Sequence, residues 1–385
     1  MGKISLRYCE DYKLENIKNS LNKAFEDIGG LSRYIPAKSR VMLKCNLSSQ
    51  TAPDVALTTH PAIVTVLADM IEDLGASCLI VDSPKEYSAR NVDKMYEVTK
   101  MLGASNQGHA QLNTDFNLFQ TNIRGHKTTK LVMLDMIRNV DLIINIPKLV
   151  VNIDDGLNGC VNNLFGLIAS EEQKIVRESL LSKTDFIDYQ LDVYNELKNK
   201  VVLNIVDGVV SKEANNSQRI LNLIMVGENG LEMDYKLLEI VGINPKDNLL
   251  IKRAKLFNLL DDETNISSCG DNLDTFKKKD FSLPSQGYNI AINKINHDYK
   301  ATRERPKVKI TDCKGCKKCF SSCPTSAISE GKDANGEIYA RLDLLKCIHC
   351  MNCVKTCPYG AIKVITPIKY KHLKQKIEKR LVNKN

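Results

Sequence analysis

The sequence predicts an α/β protein whose mainly parallel sheet carries helices on both faces, followed by a small C-terminal α+β module. Runs of Val, Ile and Leu, such as residues 141–147 and 201–207, alternate with helical patterns as far as residue 245. Near-continuous apolar strands of this kind are typical of parallel sheets covered on both faces. The pattern fades between residues 260 and 306, and a cysteine-rich segment then repeats itself with an offset of 34 positions. With 385 residues, the chain is long enough for two or three domains.

The individual elements follow from apolar runs and from helical spacing. Each strand is a short, almost unbroken apolar run, and we predict strands at residues 3–9, 40–47, 78–82, 141–147, 201–207 and 221–226. Each helix repeats apolar residues every three or four positions, and we predict helices at residues 14–28, 60–74, 91–102, 159–169, 182–198 and 231–241. The polar segment 103–130 is interpreted as a lid or an insertion.

Eight cysteines form two copies of one pattern, C-x2-C-x2-C-x3-C-P. The first copy contains Cys313, Cys316, Cys319 and Cys323, and the second contains Cys347, Cys350, Cys353 and Cys357. Two residues between cysteines allow three successive thiolates to surround one iron–sulfur cube, and the following proline turns the chain away. The pattern therefore predicts two 4Fe-4S clusters.

The cysteine-rich segment resembles the two-cluster bacterial ferredoxins over residues 304–366, a small ferredoxin-like dicluster domain. The repeat continues past the cysteines, because Ala327-Ile328 matches Ala361-Ile362. In that family the fourth cysteine of each copy binds the other cluster. The resemblance implies one cluster on Cys313, Cys316, Cys319 and Cys357, and a second on Cys323, Cys347, Cys350 and Cys353. Asn335-Gly336 is predicted to form a hairpin turn between the halves.

Two other uses of these cysteines fit less well. Zinc sites usually take four ligands from two close pairs, often with a histidine. Disulfides require an exported protein, and no export signal is visible. His349, inside the second cysteine triplet, is interpreted as an exposed residue and not as a ligand.

The positive charge of the chain is unevenly distributed. Of the formal net charge of +8, residues 300–385 contribute +13 and the remainder −5. Part of this excess offsets the anionic clusters, and the rest favours an acidic, low-potential electron donor such as a ferredoxin, a flavodoxin or a reductase. No aromatic-interleaved basic patch accompanies the charge, so nucleic acid is not an expected partner. We expect a cytoplasmic protein without a membrane span.

Composition divides the chain into four segments. Residues 1–260 are predicted to form the α/β domain, 261–303 a linker with little core, and 304–366 the dicluster domain. Residues 367–385 are predicted to form a basic helical tail that docks on the protein's own surface, with membrane adhesion as the alternative.

Six short motifs in the α/β domain together resemble the family known as domain of unknown function 362, over about residues 40–245. They are Leu43-Lys44-Cys45-Asn46-Leu47, Thr58-Thr59-His60-Pro61, Val81-Asp82-Ser83, Ile144-Asn145-Ile146-Pro147-Lys148-Leu149, Val161-Asn162-Asn163-Leu164-Phe165-Gly166 and Val206-Asp207-Gly208. The chain departs from the family pattern at Val150-Val151-Asn152 and at 211–216, which places a shared chemistry in question.

Several polar residues of these motifs fall at predicted strand ends, where ligands collect in open parallel sheets. We interpret Lys44, His60 and Lys148 as candidates for proton transfer at an active site. The candidates for lining a substrate pocket are Asn46, Asp82, Asn163 and Asp207. Each has an alternative role, because aspartate and histidine also cap helices and lysine also lies in solvent.

Three functions remain open from the sequence. The first is an oxidoreductase component that relays low-potential electrons through the clusters to a substrate or partner at the α/β domain. The second is an electron-transfer adaptor whose α/β domain only docks a partner enzyme. The third is an iron- or oxygen-responsive regulator. No G-x-G-x-x-G fingerprint of a dinucleotide cofactor follows a predicted strand.

Overall fold

The computed structural model describes residues 3–47, 50–83, 89–107, 109–152, 156–179, 182–261, 266–278, 280–283, 304–333, 335–344, 346–347 and 349–366. The chain divides into two compact units. The first comprises Met1–Thr121, Val132–Gln173 and Gln190–Ser285, and the second comprises Asn122–Leu131, Lys174–Tyr189 and Gln286–Asn385. The predicted basic helix at 367–385 lies outside the described residues.

Sixteen strands are present in the described residues. They are β1 (Ile4–Tyr8), β2 (Arg40–Cys45), β3 (Ser77–Val81), β4 (Gln111–Leu112), β5 (Leu118–Asn122), β6 (Lys130–Leu134), β7 (Leu142–Ile146), β8 (Lys148–Asn152), β9 (Gly156–Asn158), β10 (Val201–Lys212), β11 (Gln218–Gly227), β12 (Ser268–Gly270), β13 (Arg305–Val308), β14 (Ile328–Lys332), β15 (Ile338–Leu342) and β16 (Ile362–Ile365).

A ten-stranded sheet forms the centre of the first unit. Its main path runs β12–β1–β11–β10–β7–β2–β3–β4, and β8 and β9 continue it beside β10. Pairing is parallel from β10 through β7, β2 and β3 to β4, and antiparallel between β10, β11 and β1. The strands β2, β3 and β7 are almost entirely buried, as expected for strands covered on both faces. The predicted α/β class with a mainly parallel sheet is confirmed.

Twelve α-helices accompany the strands in the described residues. They are α1 (Leu14–Ile28), α2 (Pro61–Asp73), α3 (Ala89–Val98), α4 (Met101–Gln107), α5 (Cys160–Leu164), α6 (Ser170–Ser179), α7 (Lys183–Leu197), α8 (Gly230–Ile240), α9 (Leu249–Leu256), α10 (Leu273–Phe276), α11 (Lys318–Ser321) and α12 (Asn352–Thr356). The helix α1 buries Ile17, Leu21 and Phe25 on one face and ends at Gly29, whose φ of 103° suits a residue without a Cβ atom.

Some elements differ from the sequence prediction. The helix predicted at 91–102 is two helices, α3 and α4, and the segment predicted to be irregular contains β4 and β5. The strand β8 was not predicted because Pro147 was interpreted as the end of a strand. In the structure the Pro147 carbonyl accepts a hydrogen bond from Asp207 N at 2.9 Å, and the chain continues along the long strand β10. A proline without an N–H is compatible with this pairing because only its carbonyl is used.

Residues 266–283 belong to the first compact unit, although the sequence predicted a linker from residue 261. The strand β12 pairs in parallel with β1. Phe276 and Phe281 are buried in the same apolar cluster as Leu6, Met225 and residues of α8. A three-residue edge strand and a single helical turn are too short to show a hydrophobic period, which explains why the sequence pattern missed them.

The second unit contains a duplicated module. The strand β13 pairs with β16, and β14 pairs with β15, both antiparallel. Residues 34 positions apart share an unusual backbone conformation: φ is near +60° at Gly315 and His349 and at Lys317 and Met351. The predicted hairpin turn at Asn335-Gly336 is confirmed between β14 and β15. Both halves therefore use one backbone scaffold, as their shared spacing predicted.

Replacing Phe276 by Ala tests the role of residues 266–283. We expect the free energy of unfolding to fall by about 3–5 kcal/mol, because removing a fully buried ring leaves a cavity. Urea unfolding followed by circular dichroism measures this change. The control is Leu256→Ala, since Leu256 is 63% exposed, and it should change stability by about 0.5 kcal/mol or less. An equally small effect at both positions would contradict a core role for this segment.

Candidate functional site

Four of the cysteines surround one cavity in the dicluster module. Cys313, Cys316, Cys319 and Cys357 line an open cavity of about 370 Å³. Burial, together with the charges of Cys313, Cys316 and Cys357, raises the pKa of Cys319 to about 11. The four sulfur atoms are therefore close enough to interact electrostatically, although they come from both copies of the repeat.

The other four cysteines form a second group. Burial raises the pKa of Cys353 to about 12, and the charges of Cys350, Cys347 and Cys323 add to this effect. Cys323 of the first copy is therefore close enough to Cys353 of the second copy to interact electrostatically, and so is Cys319.

The surroundings of these sulfur atoms suit an anionic iron–sulfur cluster. Backbone N–H groups of Ala327 and His349 donate to the sulfur atoms of Cys323 and Cys347 at 3.2 and 3.4 Å. Such bonds stabilise thiolates and tune the potential of the metal group that they hold. Four convergent thiols with amide donors beside them fit a 4Fe-4S cube, which supplies one-electron chemistry when bound.

A segment from earlier in the chain packs beside Cys323. The hydroxyl of Thr128 is buried and lies 2.9 Å from the carbonyl oxygen of Pro324. Lys130 Nζ donates to the carbonyl of Ser321 at 3.0 Å, and Thr129 Oγ1 lies 2.8 Å from Ser326 Oγ. Residues 122–131 therefore hold the turn that follows the fourth cysteine of the first copy.

The first unit contains two buried lysine–aspartate pairs. The first pair lies at the carboxyl ends of β2 and β3. The second joins Lys148, the first residue of β8, to Asp207, which lies in the middle of β10 and not at the predicted strand end. Lys44 Nζ lies 2.8 Å from Asp82 Oδ1, and both side chains are 1% exposed. Asp82 Oδ2 also accepts a hydrogen bond from the backbone N–H of Leu47. A charge buried without a partner would cost several kcal/mol, so each member of this pair requires the other.

A chain of hydrogen bonds extends from Lys44 through three asparagines. Lys44 Nζ donates to Asn163 Oδ1 at 3.3 Å, and Asn163 Nδ2 donates to Asn145 Oδ1 at 2.8 Å. Asn145 Nδ2 then donates to Asn204 Oδ1 at 2.8 Å, and Asn204 Nδ2 donates to the carbonyl of Glu228 at 3.0 Å. The register places Lys44, Asn145 and Asn204 side by side on β2, β7 and β10. Each polar group of this row is satisfied by protein, as a structural network requires.

The second pair joins Lys148 and Asp207 and includes a tyrosine. Lys148 Nζ lies 3.0 Å from Asp207 Oδ2, and the two side chains are 1% and 0% exposed. Lys148 Nζ also donates to the hydroxyl of Tyr12 at 2.7 Å, which donates to Asp207 Oδ1 at 2.8 Å. Burial lowers the pKa of Lys148, although Asp207 opposes this shift. The two buried groups reach the partly exposed Tyr12 through direct hydrogen bonds.

His60 covers the same cluster. Its ring stacks on Tyr12 with the ring centroids 3.7 Å apart. His60 precedes helix α2 as its N-cap, and its Nδ1 accepts from Ala62 N at 3.2 Å. Burial lowers the pKa of His60 to about 4, with the positive charge of Lys148 adding to this effect and Asp207 opposing it. The imidazole is therefore neutral near pH 7, and its Nε2 carries the proton because Nδ1 accepts.

Two glycines leave space for the buried carboxylates. A Cβ atom at Gly166 would lie 2.5 Å from Asp82 Oδ1 and 2.8 Å from Lys44 Nζ. At Gly159 it would lie 2.0 Å from Asp234 Oδ1. Asp234 accepts from Cys160 N and Val161 N at the start of α5, and burial raises its pKa to about 6. Positions 159 and 166 both need glycine, because a side-chain carboxylate lies where a Cβ atom would be.

The predicted site residues thus fall into two groups. Lys44, Asp82 and Asn163 belong to the asparagine network, whereas His60, Lys148 and Asp207 belong to the tyrosine cluster. The backbone N–H of Asn46 donates to Thr59 Oγ1 at 2.8 Å. The alternative of a solvated Lys148 is wrong, because its side chain is 1% exposed. The alternative of a helix cap is confirmed for His60.

Sequence reasoning missed three residues of these groups. Asn145 and Asn204 lie inside predicted strands, where a polar residue between apolar neighbours was the available signal. Tyr12 follows β1 in a short polar loop with no distinguishing pattern. Cys45 lies within one motif and Cys160 directly precedes another, and burial raises the pKa of both thiols. They are therefore neutral thiols and not reactive thiolates.

Substituting Gly166 by Ala tests the tight packing around the first lysine–aspartate pair. We expect the free energy of unfolding to fall by about 3–5 kcal/mol, because a methyl group at this position separates Lys44 from Asp82. The matched control is Gly103→Ala in α4, where nothing lies within 4 Å of the new Cβ atom. That control should gain up to about 1 kcal/mol from helix propensity. Equal melting temperatures for both variants would contradict the close packing.

The low pKa of His60 predicts a pH-dependent contribution to stability. The unfolded chain binds a proton near pH 6.5, but the folded chain does so only near pH 4. Stability contributed by the neutral ring is therefore present above pH 6.5 and is lost as the pH falls from 6.5 to 4. His60→Asn keeps an N-cap acceptor and removes the titration. The difference in melting temperature between wild type and this variant should shrink towards pH 4, and a difference independent of pH would refute this.

Comparison with known proteins adds two family matches. Residues 41–239 match the family described as Domain of unknown function (DUF362), and residues 312–361 match the family described as 4Fe-4S dicluster domain. The C-terminal part of the chain therefore holds two 4Fe-4S clusters. No helix among the described residues has the length and apolarity needed to cross a membrane.

Two individual proteins are also similar. Thylakoid-associated protein sll1697 from Synechocystis sp. (strain ATCC 27184 / PCC 6803 / Kazusa) is 23% identical over 254 residues, which cover 63% of this chain and 75% of that protein. The lactate racemase apoprotein from Thermoanaerobacterium thermosaccharolyticum is 14% identical, with a TM-score of 0.38 over 62% of this chain and 57% of its own. Because the first family match spans more than half of its residues, the chain belongs to the Domain of unknown function (DUF362) family and carries a C-terminal 4Fe-4S dicluster domain.

Proposed function

We propose that this protein is an electron-transfer component of an oxidoreductase. It takes low-potential electrons from a carrier protein (a ferredoxin, a flavodoxin or a reductase) and relays them to an acceptor at the α/β unit. The observation that supports this most directly is the match of residues 312–361 to the 4Fe-4S dicluster domain, together with the four cysteines from both copies that line one cavity. In this proposal Cys313, Cys316, Cys319 and Cys357 hold the first cluster, and Cys323, Cys347, Cys350 and Cys353 hold the second.

The tyrosine cluster supplies the proton chemistry in this proposal. Most acceptors that gain electrons in water also gain protons, and a protein must deliver them where water is excluded. The Tyr12 hydroxyl connects Lys148 with Asp207, and the residue as a whole is half-buried. The neutral ring of His60 offers a further N–H donor beside it. We assign proton delivery to Tyr12 and Lys148, and binding of the acceptor to the partly exposed face of Tyr12 and His60.

The Lys44 network supports a structural role and not a catalytic one. Lys44 Nζ already contacts Asp82, Asn163 and the carbonyl of Cys45. An ammonium group has three protons to donate, so this amine has none left for a substrate. For the part of the α/β unit that this network spans, the observation favours the second candidate function. In that function the unit only docks a partner enzyme.

A cytoplasmic location suits this proposal, since cytosolic thiols stay reduced and available for metal binding. The name of the Synechocystis relative describes that protein as thylakoid-associated. Association of the present chain with a membrane surface is the alternative, and fractionation of cells at low and high salt distinguishes the two.

Metal analysis tests the cluster assignment. Anaerobically purified protein should contain about eight iron and eight sulfide per chain. The variants Cys319→Ala and Cys353→Ala should each lose about half of the iron, because each removes a ligand from a different cluster. Cys269→Ala is the control and should keep all of it, since Cys269 lies in β12 of the first unit. Zinc in place of iron, or equal metal content in all variants, would refute the assignment.

Reoxidation kinetics separate the relay from the adaptor. Protein reduced with light and deazaflavin is mixed anaerobically with fractions of cell extract, and the visible absorbance of the clusters is followed. In the relay, Tyr12→Phe should slow reoxidation by the active fraction by about 100-fold or more, because it removes a proton donor. An unchanged rate in this variant, with full cluster content, would identify the adaptor instead.

A further inference from the structure

The two halves of the dicluster module share a backbone but differ in charge. The first cysteine loop carries Lys314, Lys317 and Lys318, all of which are exposed. The residues 34 positions later are Ile348, Met351 and Asn352, which are uncharged. Among these three, the structure describes Met351 and Asn352, and both are half-buried. The duplication is therefore symmetric in backbone and asymmetric in charge.

Exposure of the cysteine residues follows the same asymmetry. Cys316 is exposed, whereas the equivalent Cys350 is half-buried. Lys314 and Lys317 line the cavity that Cys316 shares with the other three cysteines of its set. The first cluster site is thus both the more accessible of the two and the one ringed by positive charge.

The three lysines of the first cysteine loop are accessible to a partner protein. Lys317 Nζ lies 2.6 Å from Glu330 Oε2 on β14, an exposed pair. Within the described part of the chain, the ammonium groups of Lys314 and Lys318 have no carboxylate partner.

Exposed apolar side chains lie among these lysines. Tyr359, which lines the same cavity, is 52% exposed. Ile338, whose backbone and side chain border Gly315, is 37% exposed. An apolar centre with a charged rim is the usual anatomy of a transient protein interface.

We propose that this lysine ring, defined as Lys314, Lys317 and Lys318 around Cys316, is the docking surface for an acidic one-electron carrier protein. The inference rests on the proposed function and adds the point at which electrons enter. One electron passes from the reduced centre of the carrier to the cluster site of Cys313, Cys316, Cys319 and Cys357. The carrier is oxidised by one electron and the cluster site is reduced by one electron. No bond forms or breaks and no proton is required. Positive charge at the entry steers an acidic partner towards the exposed sulfur.

The test measures electron transfer from a reduced acidic bacterial ferredoxin to the oxidised holoprotein by anaerobic stopped flow. The variant Lys314→Glu/Lys318→Glu changes the ring, and Lys346→Glu/Lys355→Glu makes the same change in net charge on exposed lysines of the second half. At low salt the ring variant should be slower than wild type by about tenfold or more, since steering contributes 10–10³-fold to association rates. The second variant should be slower by about twofold or less. Added salt should slow the wild type and affect the ring variant little.

The midpoint potentials of both variants are also measured. The electron-transfer rates are then compared at a known difference in potential between the carrier and the clusters. Equal slowing in the two variants, or a wild-type rate that does not change with salt, would overturn the docking surface. Reduction with light and deazaflavin bypasses docking and must remain normal in both variants. Failure of the proposed function has a different signature: clusters reduced in this way would pass electrons to no fraction of the cell extract, whatever happens at the lysine ring.

Discussion

The need to neutralise two buried lysines organises the α/β unit. Lys44 and Lys148 are both 1% exposed, and each lies within 3.0 Å of an aspartate that is equally buried. An ammonium group without its partner would cost several kcal/mol, which is a large fraction of the stability of a typical domain. The strands that carry these residues must therefore stay in fixed register. This requirement also explains Gly166, whose position has no room for a Cβ atom beside the first pair.

The two pairs nevertheless differ in what they can do chemically. Around Lys44, asparagine side chains and backbone carbonyls use every donor, and the row ends at a carbonyl of Glu228. A saturated network rigidifies its surroundings but has nothing to offer a ligand. Around Lys148, the row ends at Tyr12 and His60, which are partly exposed. In the proposed function, the acceptor binds where buried charged groups lie beside partly exposed side chains, which favours the tyrosine cluster over the Lys44 network.

Sequence reasoning succeeded where the physical signal is local. Ligand spacing in C-x2-C-x2-C is set within one turn of chain, so the two cysteine runs and the hairpin at Asn335-Gly336 could be predicted. The exchange of the fourth cysteine between the runs followed only from the resemblance to two-cluster ferredoxins. The buried strands were recognisable from their apolar runs. The partners of the lysines could not be predicted, since the contact between Tyr12 and Lys148 joins residues 136 positions apart. The short strand β12 and the residues around Phe276 could not be predicted for another reason. They are buried by neighbouring elements, and their own sequence shows no hydrophobic period.

The two halves of the dicluster module share a backbone scaffold but differ in the charge of their side chains. Positive φ angles recur at Gly315 and His349, and at Lys317 and Met351, so the two halves present their sulfur atoms on the same scaffold. Identical scaffolds alone would give two equivalent cluster sites with no preferred direction of transfer. Reduction potential depends on nearby charge, hydrogen bonds and exposure, all of which are set by side chains. Lysines around the exposed Cys316 and neutral, half-buried residues around Cys350 break that equivalence. In the proposed relay, the side chains that differ between the two halves therefore set the direction of electron transfer.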